Sequence, residues 1–296
     1  MKKYAPIFVI IAAALWGVDG IVLTPSLYSL PVPFVVFIQS GLISFLLLPI
    51  IFKFRDELKE LKLKDWLSFL GVAVFGGAIG TMSITKALFY VNYVNLSIVI
   101  LIQKLQPVFA ILLAALILKE KLSKQFFLWA SLAVAGTLLM TFGLNLPNFN
   151  TGDKTAYAAL FALLASFSFG FSTVLSKRAL RNTSFELATY LRFSLTAFIM
   201  FIIVTSIGQL TSVEEVTQTQ LIVFILIAFT TGGTAIFLYY YGLKKISASV
   251  ATICELAFPI TAVLLEYILR DNILDPIQWL GVVILVTSIF KVTRSS

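Results

Sequence analysis

Histidine is absent from this chain, cysteine occurs once, and only 12% of the residues carry charge. Without histidine the chain lacks the one side chain whose ordinary titration falls near neutrality, so any proton carrier must be a carboxyl. No metal-ligand cluster and no ordered nucleophile-base arrangement can be assembled from the sequence, which argues against an integral membrane enzyme. The lone Cys254 has no partner for an intramolecular disulfide and lies in an apolar run, where it reads as a small buried hydrophobe. Phosphate-binding loops are missing too. The glycines of FGGAIG (Gly76, Gly77, Gly80) and TTGG (Gly232, Gly233) sit inside apolar runs, without the strand-loop-helix setting or the Gly-Lys-Ser/Thr ending. They read as points of close helix packing. No cofactor is expected, and energy must come from a gradient or a substrate exchange.

What the chain has in quantity is apolar surface: 59% hydrophobic residues and a mean hydropathy of +1.00 over 296 residues. Those values exceed what a soluble domain carries, so the solvent is lipid. The net charge of +8 does not point to nucleic acid, because the cations fall in short clusters between apolar runs and form no stripe. Taking about 20 apolar residues as one helical crossing, the sequence divides into ten. They run near Ala5–Leu23, Val32–Phe52, Trp66–Thr85, Leu96–Leu118, Phe126–Leu144, Ala156–Leu175, Phe185–Ile207, Leu221–Leu243, Ala248–Leu269 and Pro276–Val292. Apolar residues run continuously within each and do not alternate, which excludes a β-barrel. Lys2 and Lys3 before the first run resemble a signal peptide, but no small-x-small cleavage site follows, so that run is read as retained. Between the second and third crossings, KFRDELKELKLKD is expected to form an amphipathic surface helix with Leu58, Leu61 and Leu63 toward the headgroups.

Lys and Arg are divided unequally between the two sets of loops, about 17 against 2. The rich set holds Lys2, Lys3, the Lys53–Lys64 group, the Lys119–Lys124 group, Lys177, Arg178, Arg181, Lys244, Lys245, Lys291 and Arg294; the poor set holds Lys154 and Arg270. By the positive-inside rule both termini are cytoplasmic in a multi-pass cell (plasma or inner) membrane protein.

An internal repeat emerges at a shift of roughly 152 residues, the fixed-period signature of duplicated units. It sets Gly80 on Gly232, Ser97 on Ser249, Gln103 on Glu255, Pro107 on Pro259 and Leu122 on Leu274; a shift of about 153 sets Gly17 on Gly170 and Gln39 on Arg192. Each half then holds an odd number of crossings and the second must enter from the opposite side. The expected fold is an all-α integral membrane protein of ten transmembrane helices in two inverted five-helix repeats, residues 1–145 and 155–296, joined by an extracytoplasmic loop at 146–154. Inverted repeats are the design of secondary carriers, with the site near the midplane between them.

The most informative pair of crossings is Asn95–Ser123 and its counterpart Ser247–Asp275, each with a proline near its middle. Pro107 and Pro259 lack an N–H, so the carbonyls of Gln103 and Glu255 each lose their helical donor. Lys104 adds an ammonium at the same depth. Irregular backbone and charge at mid-membrane survive only against protein or a watery cavity, and an intramembrane charge costs about 2.5 to 3.5 kcal/mol to insert. Lys104 and Glu255 are therefore expected on a cavity wall; the bland alternative is a buried ion pair that fixes packing.

Asp19, in WGVDG, and Glu255 are the candidate proton carriers. Arg192, two turns into its crossing, divides between substrate contact and snorkelling. Lys86 and Glu266 lie near span ends and read as snorkelling residues. Of the consecutive tyrosines Tyr239, Tyr240 and Tyr241, one must point inward, with Tyr239 or Tyr240 the candidates for the cavity.

At Ala87-Leu88-Phe89-Tyr90-Val91, at PVFAILLAALILKEKL ending in Glu120-Lys121-Leu122, and at Tyr241 through Ser249 followed by Pro259, the chain resembles the EamA-like branch of the drug/metabolite transporter superfamily. The resemblance covers nearly the whole length. It implies ten helices, cytoplasmic termini, a cavity lined chiefly by the first four helices of each half, and movement of small metabolites, often as export. Arg192 matches an arginine such proteins carry in the second helix of a half. Two positions depart from the pattern: Gln39 stands where the first half would carry that arginine, and Asn272 where a counterpart of Glu120 is expected.

The sequence thus reads as a secondary transporter, an exporter, of a small polar or amphipathic metabolite, acting by alternating access. The alternatives are an integral membrane enzyme or a channel without gradient coupling; the latter is disfavoured because the polar residues differ between the halves and form no selectivity ring. Lys104 and Glu255 on opposing repeats suit a zwitterion, so an amino acid or derivative is the expected substrate, held between aromatic walls. Its other partners would be membrane lipid and a coupling proton or counter-substrate.

Overall fold

The computed structural model describes residues 4–90, 97–145, 154–270 and 273–294. Expectations attached to Lys2, Lys3, the connector before Lys154 and Asn272 lie outside the described residues. Within them the chain is helical, with no strand. Among the described residues nine helices are long and apolar enough to cross a membrane: α1 (Ala5–Leu27), α3 (Leu63–Leu88), α4 (Val99–Leu118), α5 (Lys124–Phe142), α6 (Thr155–Ala179), α7 (Phe185–Ser206), α8 (Gln218–Lys245), α9 (Ala248–Leu269) and α10 (Pro276–Arg294). The second crossing, α2 (Val32–Leu46), is shorter than its apolar run. Pro49 withholds a donor from the carbonyl of Phe45, which accepts instead from Leu48 N–H at 3.2 Å, and a separate short helix, Pro49–Lys53, carries the remainder.

The amphipathic connector contracts to Arg55–Glu60. Leu58 and Leu61 pack inward against the main core, while Leu63 stays exposed. The Glu57 carboxylate accepts the Ser184 backbone N–H, and the Asp65 carboxylate accepts from Asn182 at 3.0 Å. These bonds hold the connector against the α6–α7 turn and direct Leu58 and Leu61, though not Leu63, into the core instead of outward.

α5 packs along α10, α3 along α6, α2 along α7, and α1 along both α8 and α9; α6 also covers α4. In the α5–α10 pair the backbones nearly touch. A Cβ on Gly281 would lie 2.4 Å from the Met140 nitrogen and 2.8 Å from the Gly136 carbonyl oxygen, atoms that cannot swing aside. Gly281→Leu is therefore expected to destabilise by about 1–3 kcal/mol or more, read as a lower melting temperature of the purified protein in detergent. Gly41, whose Cβ would meet nothing within 4 Å, is the control; equal losses from Gly41→Leu and Gly281→Leu would remove the packing argument. The FGGAIG glycines follow the same logic. A Cβ on Gly76 would strike Ser172 of α6, and one on Gly77 would strike Thr196 of α7.

Candidate substrate cavity

Helical structure in α4 is interrupted at Lys104 and Leu105, and in α9 at Glu255 and Leu256. Both interruptions follow from the prolines three residues downstream or so, Pro107 and Pro259, which leave a carbonyl one turn back without its donor. Of the two carbonyls expected to be free, one is. Among the described residues no backbone donor reaches the Gln103 carbonyl, whereas the Glu255 carbonyl accepts from Phe258 N–H at 3.0 Å, because the chain closes into a tighter turn there.

The two breaks open on one cavity of about 430 Å³, within the range of roughly 300–1,000 Å³ usual for small-molecule sites. Its walls come from α1, α3, α4, α6, α7, α8 and α9. Gln103, Lys104, Pro107, Arg192, Tyr239, Glu255 and Pro259 all line it.

The charged groups are held differently. The Glu255 carboxylate is held by three neutral donors: Tyr239 hydroxyl at 2.6 Å and Thr173 hydroxyl at 3.4 Å on Oε1, and Gln106 Nε2 at 3.0 Å on Oε2. Arg192 donates to the Tyr240 hydroxyl at 3.3 Å and lies 5.7 Å from that ring's centre. Lys104 has no hydrogen-bond or ion-pair partner for its ammonium among the described residues. The Lys104–Glu255 ion pair is accordingly absent there; two ion pairs that do form, Arg55–Asp56 and Lys59–Asp56, lie at the surface. Thr252, in the same wall, has a buried hydroxyl with no partner.

Asp19 and Tyr240 lie outside the lining. Asp19 begins a wide π-turn that follows the regular part of α1, and its carboxylate accepts from Thr24 at 3.0 Å and Thr231 at 2.8 Å. It thereby ties α1 to the interruption of α8 at Thr230–Gly232. The three tyrosines are divided by the 100° step of the helix. Tyr239 faces the cavity, Tyr240 is fully buried with its hydroxyl on Ser176 at 2.9 Å, and Tyr241 packs on Phe8 and Phe185.

Sequence reasoning did not single out Trp16, Gln106, Phe169, Thr173 or Phe258, all of which line the cavity. Gln106 carried a usable signal, being a polar neighbour of Pro107. The aromatics carried none, since Phe alone occurs 27 times and most such rings pack or face lipid.

At the cation-rich end of the bundle, α4 and α9 are clasped. The Glu120 carboxylate accepts from Ala248 N–H at 2.8 Å, Ser249 N–H at 3.1 Å and Ser249 hydroxyl at 2.6 Å. On this side of the breaks the two helices pack together; beyond them α4 leans on α6 and α3, and α9 on α1.

A bundle of membrane-spanning helices that gathers charge and aromatic rings around a central cavity, and breaks two of its spans there, is built as a small-molecule transporter. More narrowly, the chain belongs to the EamA-like transporter family, which matches residues 3–142 and again 156–294. Among its relatives is a riboflavin transporter, ImpX, of Fusobacterium nucleatum subsp. nucleatum, 46% identical over 97% of each chain. An uncharacterized transporter of a Synechocystis species is 26% identical over 77% of this chain and 66% of that one. A crystal structure of a protein otherwise undescribed superposes with a TM-score of 0.75 over 100% of both chains at 15% identity, a likeness of fold alone.

Proposed function

We propose that the protein carries riboflavin, or a closely related flavin, across the cell membrane by alternating access through this cavity. The observation that carries the proposal is the meeting of an unpaired ammonium, Lys104, with aromatic walls from Trp16, Phe169, Tyr239 and Phe258. The isoalloxazine of riboflavin is a flat, uncharged aromatic system edged with carbonyl and ring-nitrogen acceptors. Lys104 is a donor with no acceptor among the described residues, Arg192 spends one N–H on the Tyr240 hydroxyl and keeps others to offer, and rings on the wall supply stacking surface. The ribityl hydroxyls would meet Gln103, the free Thr252 hydroxyl and the remaining lone pair of Glu255. The 46% identity to a riboflavin transporter along nearly its whole length supports the same reading. An amino acid, the substrate expected from the sequence, is less well served. Its amine needs an open carboxylate, and Glu255 already holds three donors.

Alternating access through inverted repeats is part of the proposal, and a symmetry in the contacts supports it. A Cβ on Gly17 of α1 would strike the Phe258 carbonyl on α9, at 2.8 Å, and one on Gly170 of α6 would approach the Gln106 carbonyl on α4, at 3.0 Å. Gln106 and Phe258 correspond under the same repeat that pairs Gly17 with Gly170. The helix pairs α2–α7 and α5–α10 map onto themselves under that exchange, and α3–α6 maps onto α1–α8. In this reading the cation-rich end is cytoplasmic and closed by Glu120, and the cavity is reached from the other side. A carrier without a nucleotide motif is reversible, so export and import are two directions of one cycle, with the gradient choosing between them.

The test is transport by the purified protein in proteoliposomes. Riboflavin flux should saturate, run in either direction with the imposed gradient, and be inhibited by lumiflavin, which keeps the ring and lacks the ribityl chain. Saturable flux of an amino acid with none of riboflavin would return the assignment to a zwitterion.

A further inference from the structure

A second concavity, larger than the central cavity, lies among the described residues. A groove of about 1120 Å³ opens between the start of α1 and the α5–α10 pair, floored by α9, at the cation-rich end. We infer that this groove is a binding site for an anionic diacyl phospholipid of the adjoining leaflet, its phosphate held at the mouth and its chains lying against α9. The inference is independent of which cargo the central cavity carries.

The mouth has the composition that a lipid phosphate requires. Lys121, Lys245 and Arg294 line it, and none is ion-paired among the described residues. Lys245 lies over the Tyr241 ring at 3.3 Å and Arg294 over the Phe290 ring at 4.1 Å, contacts that leave their N–H groups open to an anion. The acidic residue in the lining, Glu120, has its carboxylate turned to Ala248 and Ser249. Two serines complete the mouth. Ser123 and Ser247 cap helices by accepting Phe126 N–H and Val250 N–H at 3.1 and 3.2 Å. Each hydroxyl therefore spends its oxygen on its own helix and keeps its hydrogen for a phosphate oxygen.

Below the mouth the walls turn apolar: Ile7 and Ile10 of α1, Val250 and Ile260 of α9, Ile289 and Phe290 of α10. From Val250 to Ile260 the groove descends ten residues of helix, about 15 Å, half of a hydrocarbon core of roughly 30 Å. Apolar exposure is ordinary for a lipid-facing surface. A concave apolar slot ending in three unpaired cations is not, and basic pockets between transmembrane helices are where acidic headgroups bind. The floor is also the back of the transport site: Glu255, Phe258 and Pro259 face the cavity while Val250, Ala257 and Ile260 face the groove.

The experiment uses the full chain in a neutral detergent. Dioleoyl phosphatidylglycerol and dioleoyl phosphatidylcholine are titrated separately and followed by native mass spectrometry and melting temperature. Phosphatidylglycerol should be retained and should raise the melting temperature more than phosphatidylcholine. Each cation near a headgroup strengthens attachment about fivefold, so the triple variant K121Q/K245Q/R294Q should lose on the order of 100-fold in phosphatidylglycerol affinity and fall to the phosphatidylcholine level. Lys59, Lys62 and Lys64, on a different connector, changed together to Gln should leave retention at the wild-type level. Ile7→Trp, at a residue 47% exposed, fills the slot without disturbing the core and should weaken retention with all cations intact. Equal retention of the two lipids, full retention by the triple variant, equal loss in the control, or displacement of phosphatidylglycerol by inorganic phosphate alone would each overturn the site.

Discussion

Replacing Lys104 with methionine is expected to weaken riboflavin binding at least tenfold while leaving the protein as stable as before, or more so. A hydrogen bond from a charged donor contributes about 1.5–3 kcal/mol, which corresponds to roughly 10- to 150-fold in affinity. Methionine keeps the length and apolar stem of lysine. Because no partner is hydrogen-bonded to the ammonium among the described residues, the substitution strands no buried group, and it removes a charge that costs about 2.5–3.5 kcal/mol to place in a membrane. Binding and stability should thus move in opposite directions. Quenching of flavin fluorescence measures the first and thermal melting the second. A fall in melting temperature with unchanged riboflavin affinity would make Lys104 a structural group. The ion-pair alternative has its own signature. If Lys104 and Glu255 pair in another state of the cycle, the double variant Lys104→Met/Glu255→Gln should transport better than either single one, because each single change leaves one charge alone.

The parts of this molecule that were legible in its sequence are those where lipid forbids what the sequence nevertheless contains. Lys104, Gln103 and Glu255 stood out because each is polar at mid-span, and all three line one cavity. Pro107 and Pro259 marked the breaks because proline's missing N–H acts through local covalent structure alone. Apolar run length located the crossings for the same reason. It overstated α2, where Pro49 divides the run, since length says nothing of how a helix ends.

What was not legible depends on rotation about a helix axis and on distant partners. Asp19 and Trp16 are neighbours in sequence, yet Trp16 lines the cavity while Asp19 is taken up by Thr24 and Thr231. Sequence makes a buried carboxyl conspicuous and cannot show that a hydroxyl some 200 residues later, at the interruption of α8, already occupies it. Tyr239 and Tyr240 were equivalent by composition; a single 100° step sends one to Glu255 and the other to Ser176 and Arg192. The inward turn of Leu58 and Leu61 likewise depends on the bonds made by Glu57 and Asp65, which join residues more than 100 positions apart.

Glu120→Ala is expected to open the cation-rich end of the cavity. The first turn of α9 has every donor accounted for: Ala248 and Ser249 N–H on Glu120, Val250 N–H on the Ser247 hydroxyl, and Ala251 N–H on the Ser247 carbonyl. Glu120 reaches this turn because Lys119 adopts a left-handed conformation, φ 57°, which lysine adopts at a cost and which turns the chain back from α4 toward α9. Alanine removes the acceptor of two N–H groups and a hydroxyl at once, and these then bond to water, which requires the helices to part. A charge-assisted hydrogen bond contributes about 1.5–3 kcal/mol, so loss of the carboxylate should shift the closed-to-open balance at this end by tenfold or more. Glu120→Gln keeps one carbonyl acceptor, and its effect should fall between alanine and the parent. The reporter is Thr252→Cys in a Cys254→Ser background, since Thr252 lies in the cavity wall behind the clasp. Its alkylation by an impermeant maleimide applied from the cation-rich face should accelerate in the order parent, glutamine, alanine. The same rate in all three would mean that this end is sealed by something other than Glu120.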